Sequence, residues 1–387
     1  AMKKILILEL KSVCYQSYQY FAEKLGAELE KQGCKVTFFR TAETPFEQLE
    51  QFCDASFDAV FDFNSDLPRA QMEDDSYFLD HIDAPFFDII LDHPLYHHES
   101  LKQKLSNFHV LCLDQNHRKY IENNYPHIKS VHQIFLCGEE SVPCIPLKKR
   151  PIDILFTGTY TPANEVLDAI ELTPSFLRKD ITDLINMMSD NPTLTLESAV
   201  KQLIPDTDSL ISENFPLHVS SYFLVDTYLR AHEREELIKT LVDANLPLTI
   251  CGAGWDKFSL FSEKKASKIT FRPEVSFQDT FALMGQAKIT LNLMPLFQHG
   301  IHDRIPSSML NHSVCVTDKT PFLEKHYTHE KELAFYNRNH LSLLPDLLTE
   351  LLLKEAKAEQ ISECGYQYAK KYTNWNQIGK IIISLLS

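Results

Sequence analysis

Short apolar runs alternate with amphipathic stretches along the first third of the chain. Residues 5–8, Ile-Leu-Ile-Leu, are continuously apolar, which predicts a central parallel strand covered on both faces. Tyr18, Phe21, Ala22, Leu25 and Leu29 then recur at helical spacing, Gly33 supplies a stop, and residues 35–39 resume strand character. Further strand-like runs at 57–63, 87–91, 108–113 and 131–136 predict a doubly wound α/β sheet. Ligands of such sheets bind beyond the carboxyl ends of the strands, where Asn64-Ser65-Asp66 and Asp92-His93-Pro94 follow directly.

Residues 142–151 are rich in proline and charge and separate this series from a second one. The second opens at 152–158, but helical periodicity from about Asn164 to Ala244 precedes its next strand at 248–250. That is too long for one crossover helix and predicts an inserted helical layer. Strands are expected near 268–271, 289–293, 314–316 and 333–335, with Ser276 and Asp279 as a capping pair for the helix leading into Ile289. Trp375, Ile378, Ile381, Ile382 and Leu385 predict an amphipathic terminal helix, and no repeat or low-complexity segment is found.

Composition narrows the class. A chain of 387 residues exceeds what one core usually covers, so two domains are expected, and 44% hydrophobic with 24% charged residues is a globular composition. The net charge of -15, without a block of Lys or Arg, disfavours nucleic acid as a partner while leaving room for a small phosphate pocket. Nine cysteines, at 14, 34, 53, 112, 137, 144, 251, 315 and 364, form no CxxC pair and mostly read as small buried hydrophobes in a reducing compartment. No apolar run reaches membrane-spanning length and no signal-peptide pattern is seen, so a cytoplasmic protein is expected; Ala1 before Met2 reads as a scar of tag removal.

With only ten glycines in the chain, their positions are informative. Gly158, Gly252, Gly254 and Gly300 follow expected strands of the second series, where glycine lets backbone N–H groups approach a phosphate, or simply forms a tight turn. The dinucleotide fingerprint is absent, which disfavours a nicotinamide dehydrogenase. The densest polar cluster runs from Gln298 to Leu310 and holds His299, His302, Asp303, Arg304, Ser307 and Ser308 just before an apolar helix. An arginine fork, hydroxyls and the positive end of that helix suit a diphosphate; the alternative is that Asp303 and Ser307 cap the helix and Arg304 pairs with Asp303. His299 and His302 lack carboxylate or thiolate partners at metal-site spacing, as do Asp92, His93, His97 and His98, so no metal is expected.

Residues 152–160, the Gly252-Ala253-Gly254-Trp255 turn, residues 287–292, and Gly300-Ile301-His302-Asp303-Arg304 leading to 314–318 together resemble the CgeB-like glycosyltransferases, glycosyl transferases family 1-like proteins of GT-B architecture. Residues 91–97 resemble an N-terminal domain that often precedes that catalytic half. The resemblance implies two Rossmann-like domains facing across a cleft: an acceptor-side domain at 2–147 completed by the terminal helix at 373–387, and a nucleotide-sugar-binding domain at 151–372 that includes the helical insertion at 164–244. It implies metal-independent transfer from a nucleotide-sugar, a UDP-sugar being the expected donor, to a protein, glycan or envelope acceptor, of hexosyl type, with retention and with no cofactor. Gly158, Thr159, Tyr160, Gly252, Gly254, Trp255, Asn292, His299, Gly300, Asp303, Arg304, Ser307 and Ser308 would hold the donor, and Asp92, His93 and His302 are the catalytic candidates. Two departures stand out. Many relatives carry a ribose-gripping glutamate where Ser307 stands, and a glycine where His312 stands, which suggests a differently shaped helix N-terminus. Ser307 keeps open a second reading, a catalytically reduced partner or chaperone subunit of a glycosyltransferase complex. A sugar-nucleotide epimerase is disfavoured because the second domain lacks an evident carboxylate pair.

Overall fold

The computed structural model describes residues 2–10, 16–142, 144–204, 214–259 and 268–386. The expectations for Ala1, Cys14 and Pro143, for residues 205–213 of the helical stretch and for Ser387 of the tail lie outside the described residues. The chain divides into two compact units, Ala1–Leu136 with Thr373–Ser387, and Cys137–Tyr372.

The first unit is built on β1 (Lys4–Glu9), α1 (Ser17–Lys31), β2 (Lys35–Arg40), β3 (Ala59–Phe63), β4 (Phe86–Ile90), α2 (His98–Leu101), β5 (Phe108–Cys112), α3 (Gln115–Asn124) and β6 (Ser130–Gln133). All six strands are parallel, in the order β2-β1-β3-β4-β5-β6. β1 lies between two neighbours with Ile5, Leu6, Ile7 and Leu8 buried, as a run with no polar alternation requires. Gly33 takes the left-handed conformation (φ 87°) at the stop after α1. The crossovers are thinner than alternation with helices predicts: short 3-10 helices at Phe46–Phe52, Leu67–Arg69 and Phe78–His81 stand where α-helices were expected, and α2 has four residues.

The second unit contains β7 (Ile152–Thr157), α4 (Ala163–Glu171), α5 (Ser175–Asp190), α6 (Leu196–Leu203), α7 (Phe215–Ser221), α8 (Phe223–Asp243), β8 (Leu248–Cys251), β9 (Ile269–Arg272), α9 (Asp279–Gln286), β10 (Ala287–Asn292), α10 (Arg304–Leu310), β11 (Val314–Asp318), α11 (Pro321–His326), β12 (Ala334–Tyr336), α12 (Leu344–Leu353) and α13 (Glu355–Tyr372). Its parallel sheet runs β12-β11-β10-β7-β8-β9, the strand order of dinucleotide-binding sheets, whose direction of winding reverses between the first and fourth strands, here β7 and β10. The helical insertion is present as α4 to α8. Ser276 Oγ accepts from the Asp279 N–H at 3.2 Å and donates to the Asp279 carboxylate at 2.7 Å, which starts α9. The proline-rich stretch is not where the units part. Residues after Leu136 already pack into the second unit, and Arg150, read as linker charge, is buried with its guanidinium on the carbonyls of Ile145, Ala287 and Asn311 at 2.8–3.0 Å.

The last helix, α14 (Trp375–Leu385), returns to the first unit. Trp375 packs its ring against Tyr20 and Phe21 of α1, each 6.3 Å away, and a β-carbon on Gly379 would stand 2.5 Å from Glu28 Cγ, so only glycine lets the two helices approach there.

Candidate functional site

The point where winding reverses in the second sheet is occupied by Arg304. Its Nε–H donates to Thr157 Oγ1 at 3.0 Å, at the end of β7, and its Nη1 donates to Asn292 Oδ1 at 2.9 Å, at the end of β10. Asn292 is itself fixed: its side-chain amide donates to Thr317 Oγ1 at 2.8 Å, and its backbone carbonyl accepts from the Tyr336 hydroxyl at 2.9 Å. The guanidinium also lies over the Phe156 ring, 5.8 Å from its centroid.

Two further arginines, which motif reading missed, come to the same place from α8. A β-carbon on Gly158 would lie 3.8 Å from the guanidinium groups of both Arg234 and Arg304. Arg234 donates to the Thr159 carbonyl, and Arg230 sits 3.5 Å from the Asp226 carboxylate. The sequence signal was the i, i+4 pair Arg230 and Arg234 on a helix otherwise rich in carboxylates, which reads as a solvated face until the sheet is assembled over it.

The field shows in the neighbouring titrations. Burial, followed by the charges of Arg304, Arg230 and Arg234, holds His302 well below the ordinary histidine range, so the ring is neutral at physiological pH. Its Nδ1 accepts from the Arg304 backbone N–H at 3.2 Å, which leaves the proton on Nε2, 3.6 Å from Asp303 Oδ1. Burial lifts the Asp303 carboxyl to about 6, although Arg304 pulls it down. Asp303 makes no side-chain cap on α10. With seven residues α10 is short, so the positive potential comes from the three guanidinium groups rather than from the helix.

The other expected donor-site residues are held as follows by contacts and burial within the second unit. Gly252 and Gly254 serve turn packing: β-carbons there would meet the carbonyl oxygens of Gly158 and Tyr160 at 2.2 and 2.3 Å, and the two turns pair through Gly158 N–H to Cys251 O (3.0 Å) and Tyr160 N–H to Ala253 O (2.9 Å). Trp255 is a core residue, stacked on Tyr160 at 4.9 Å with its indole N–H on the Gly158 carbonyl at 2.8 Å. Tyr160 is buried and donates to Glu235 at 2.6 Å. Thr159 is exposed beside Gly158, while His299 is half-buried and Gly300 buried in the loop before α10.

Ser307 and Ser308 are fully buried. Ser307 Oγ donates to the Asp303 carbonyl at 2.6 Å and accepts from the Gly138 N–H at 2.7 Å, and Ser308 Oγ donates to the Ile305 carbonyl at 2.8 Å. These hydroxyls face the fold. His312, expected to reshape the start of α10, stands instead beyond its end, at φ 50°, where it stacks on Tyr366 at 3.8 Å. The left-handed region it occupies is one that glycine adopts most readily.

In the first unit, Asn64 at the end of β3 (φ 45°) joins the two predicted loops: its amide donates to Asp92 Oδ2 at 3.2 Å and its carbonyl oxygen accepts from the Leu91 N–H at 2.9 Å. His93 Nδ1 accepts from the Leu95 N–H at 3.0 Å, capping the turn Pro94–His97, and its ring contacts His117 and Tyr120. Among the described residues no group of three His, Cys, Asp or Glu stands together to hold a metal ion, and no helix is long and apolar enough to cross a membrane.

No curated protein matches the chain. Solved structures do, at 9–11% identity, and they share the two-sheet fold. An alpha-glucosyltransferase in complex with UDP and a 13-mer DNA containing an HMU base aligns over 100% of both chains, at 10% identity and a TM-score of 0.60. Anabaena Alr3699/HepE in complex with UDP and glucose aligns over 99% of both chains (11%, TM-score 0.56), and sucrose-phosphate synthase from Thermosynechococcus elongatus over 99% of this chain and 98% of that one (10%, TM-score 0.56). Against TarM the chain spans only 57% of the partner's length (10% identity, 88% of this chain, TM-score 0.52). The likeness is to GT-B glycosyltransferases, and the family model described as glycosyl transferase-like matches residues 230–383, from Arg230 through α14. The chain has the GT-B architecture, and its residues 230–383 match the model of the glycosyl transferase-like family.

Proposed function

We propose that the chain is a glycosyltransferase that binds a nucleoside diphosphate sugar in its second unit, with the diphosphate held by Arg304, Arg234 and Arg230 at the mouth of the β7–β10 switch point. The observation that carries this reading is the convergence of three guanidinium groups at Gly158 and His302, beside the reversal where sheets of this order bind nucleotides. As the glycosidic bond breaks, negative charge grows on the leaving diphosphate, and fixed guanidinium groups stabilise it without reorganisation. Neutral His302 offers an Nε2–H donor beside them. A UDP-sugar is the proposed donor, a hexosyl group the cargo, and the diphosphate charge is met by protein groups rather than by a metal.

For the acceptor, Asp92 is the better base of the two first-unit candidates. The tautomer of His93 that accepts from Leu95 has its remaining ring nitrogen protonated. If configuration is retained, as the resemblance implies, no protein base is needed. A protein, glycan or envelope acceptor is proposed over nucleic acid because the chain carries a net charge of -15.

The test is the unfolding temperature of the whole chain with UDP and UDP-sugars, in EDTA and in magnesium. An equal rise in both is expected; no rise with any nucleoside diphosphate overturns the reading, and a rise only with magnesium overturns its metal independence. Ser307, turned onto Gly138 and Asp303 at the position where the resemblance implies a ribose-binding glutamate, favours the second reading of a chain that binds without turnover. Release of free sugar from a UDP-sugar without acceptor counts against that reading.

A further inference from the structure

Helix α8 borders a concavity in the second unit, of about 240 Å³. Leu229, Leu293 and Leu341 contribute to its apolar wall. His232, Glu233, Glu236 and Arg338 contribute to its polar wall.

Arg338 is the one Lys or Arg side chain in that lining, and two carboxylates already bracket it. Its Nε donates to Asp318 Oδ2 at 2.6 Å, its Nη1 pairs with Glu233, and its Nη2 donates to the Met294 carbonyl at 2.7 Å. Burial works against this guanidinium, but Asp318 and Glu233 raise its pKa and keep it charged. The same burial raises the Glu233 carboxyl, against the pull of Arg338. Glu236, one turn further along α8, adds another carboxylate, paired with Lys239 at 3.9 Å. In the lining itself two carboxylates, Glu233 and Glu236, thus stand against one guanidinium beside a hydrocarbon surface, while Asp318, fully buried, lies outside the lining. The sign is opposite to that of the arginine cluster near Gly158.

We infer that this cavity binds a small organic ammonium ion with an apolar body, its charge held by Glu236 and Glu233 and its body laid on Leu229, Leu293 and Leu341. An anion would meet the excess of negative charge, and a neutral molecule would leave it uncompensated. A bare metal ion would lack a set of three ligands among the described residues and would make no use of the leucines. The inference is independent of the proposed transferase activity.

Cyclohexylammonium, cyclohexanol and cyclohexanecarboxylate are the probes, titrated into the whole chain by calorimetry at neutral pH and moderate salt. Saturable millimolar binding of the ammonium is expected, about fivefold to tenfold weaker binding of the alcohol, and none of the carboxylate. Glu236→Gln should weaken the ammonium by a similar factor while leaving the thermal shift with UDP unchanged. Leu229→Trp, which fills the cavity, should abolish binding; if that variant does not fold, Glu236→Gln decides alone. No saturable binding, equal affinity for ammonium and alcohol, or full affinity in Glu236→Gln overturns the inference.

Discussion

Arg304→Ala separates the structural and ligand roles of the switch-point arginine. The side chain donates to Thr157 and to Asn292 at 3.0 and 2.9 Å. Asn292 is fully buried, and stranding its side-chain Oδ1 costs about 1–3 kcal/mol. Part of that is offset, because burial already disfavours the guanidinium, holding its pKa below the usual arginine value, and because repulsion from Arg230 and Arg234 is relieved. The expected net loss of folding stability is about 1–2 kcal/mol, within reach of a folded variant. Loss of a charge-assisted hydrogen bond to a diphosphate costs about 1.5–3 kcal/mol, roughly a tenfold to hundredfold rise in Kd for UDP. Arg304→Lys keeps the charge but cannot reach Thr157 and Asn292 together, so its Kd should fall between wild type and alanine. Calorimetric titration with UDP measures all three proteins, with circular dichroism confirming the fold. An unchanged Kd in folded Arg304→Ala refutes the placement of the diphosphate.

Gly252→Ala puts a methyl group 2.2 Å from the Gly158 carbonyl oxygen at a φ of 153°, and should lower stability in urea by more than about 2 kcal/mol; a change below about 0.5 kcal/mol would mean the paired turns are not as described. Because burial raises Asp303 from 3.8 to about 6, the folded chain keeps a proton there that the unfolded chain has released between those values. Its contribution to stability is therefore present at acid pH and lost as pH rises from about 4 to 6, at most about 3 kcal/mol and less for a side chain still 21% exposed. The difference between wild type and Asp303→Asn in urea melts across that window should show this slope, and a flat difference would contradict it. Trp375→Ala removes the ring that joins α14 to Tyr20 and Phe21; a stability loss of about 3–5 kcal/mol is expected by urea denaturation, and a loss under about 1 kcal/mol would show that the tail does not hold the first unit.

The elements were legible in the sequence because their signals are local. An unbroken apolar run such as residues 5–8 fits only a strand covered on both faces, and the spacing of Trp375, Ile378 and Ile382 fits only a helix with one buried face. Arg304 stood out as part of a dense polar cluster for the same reason. Periodicity carries no information about which element lies beside which. That α14 packs on α1, or that β10 lies beside β7 with more than a hundred residues between them in sequence, follows from the winding of whole sheets. So Thr157, 147 residues before Arg304, became its partner only once the sheet had formed, and Arg230 and Arg234 changed from a solvated helix face into charges acting on the buried His302. The reverse happened to the glycines and serines. Gly252 and Gly254 read as phosphate turns, and Ser307 and Ser308 as phosphate hydroxyls, because residue type states what a group can do. Only the tertiary structure showed the glycines giving way to another turn's carbonyls and the hydroxyls satisfied by the backbone, since a buried polar group must take whichever partner the packed fold brings within hydrogen-bond reach.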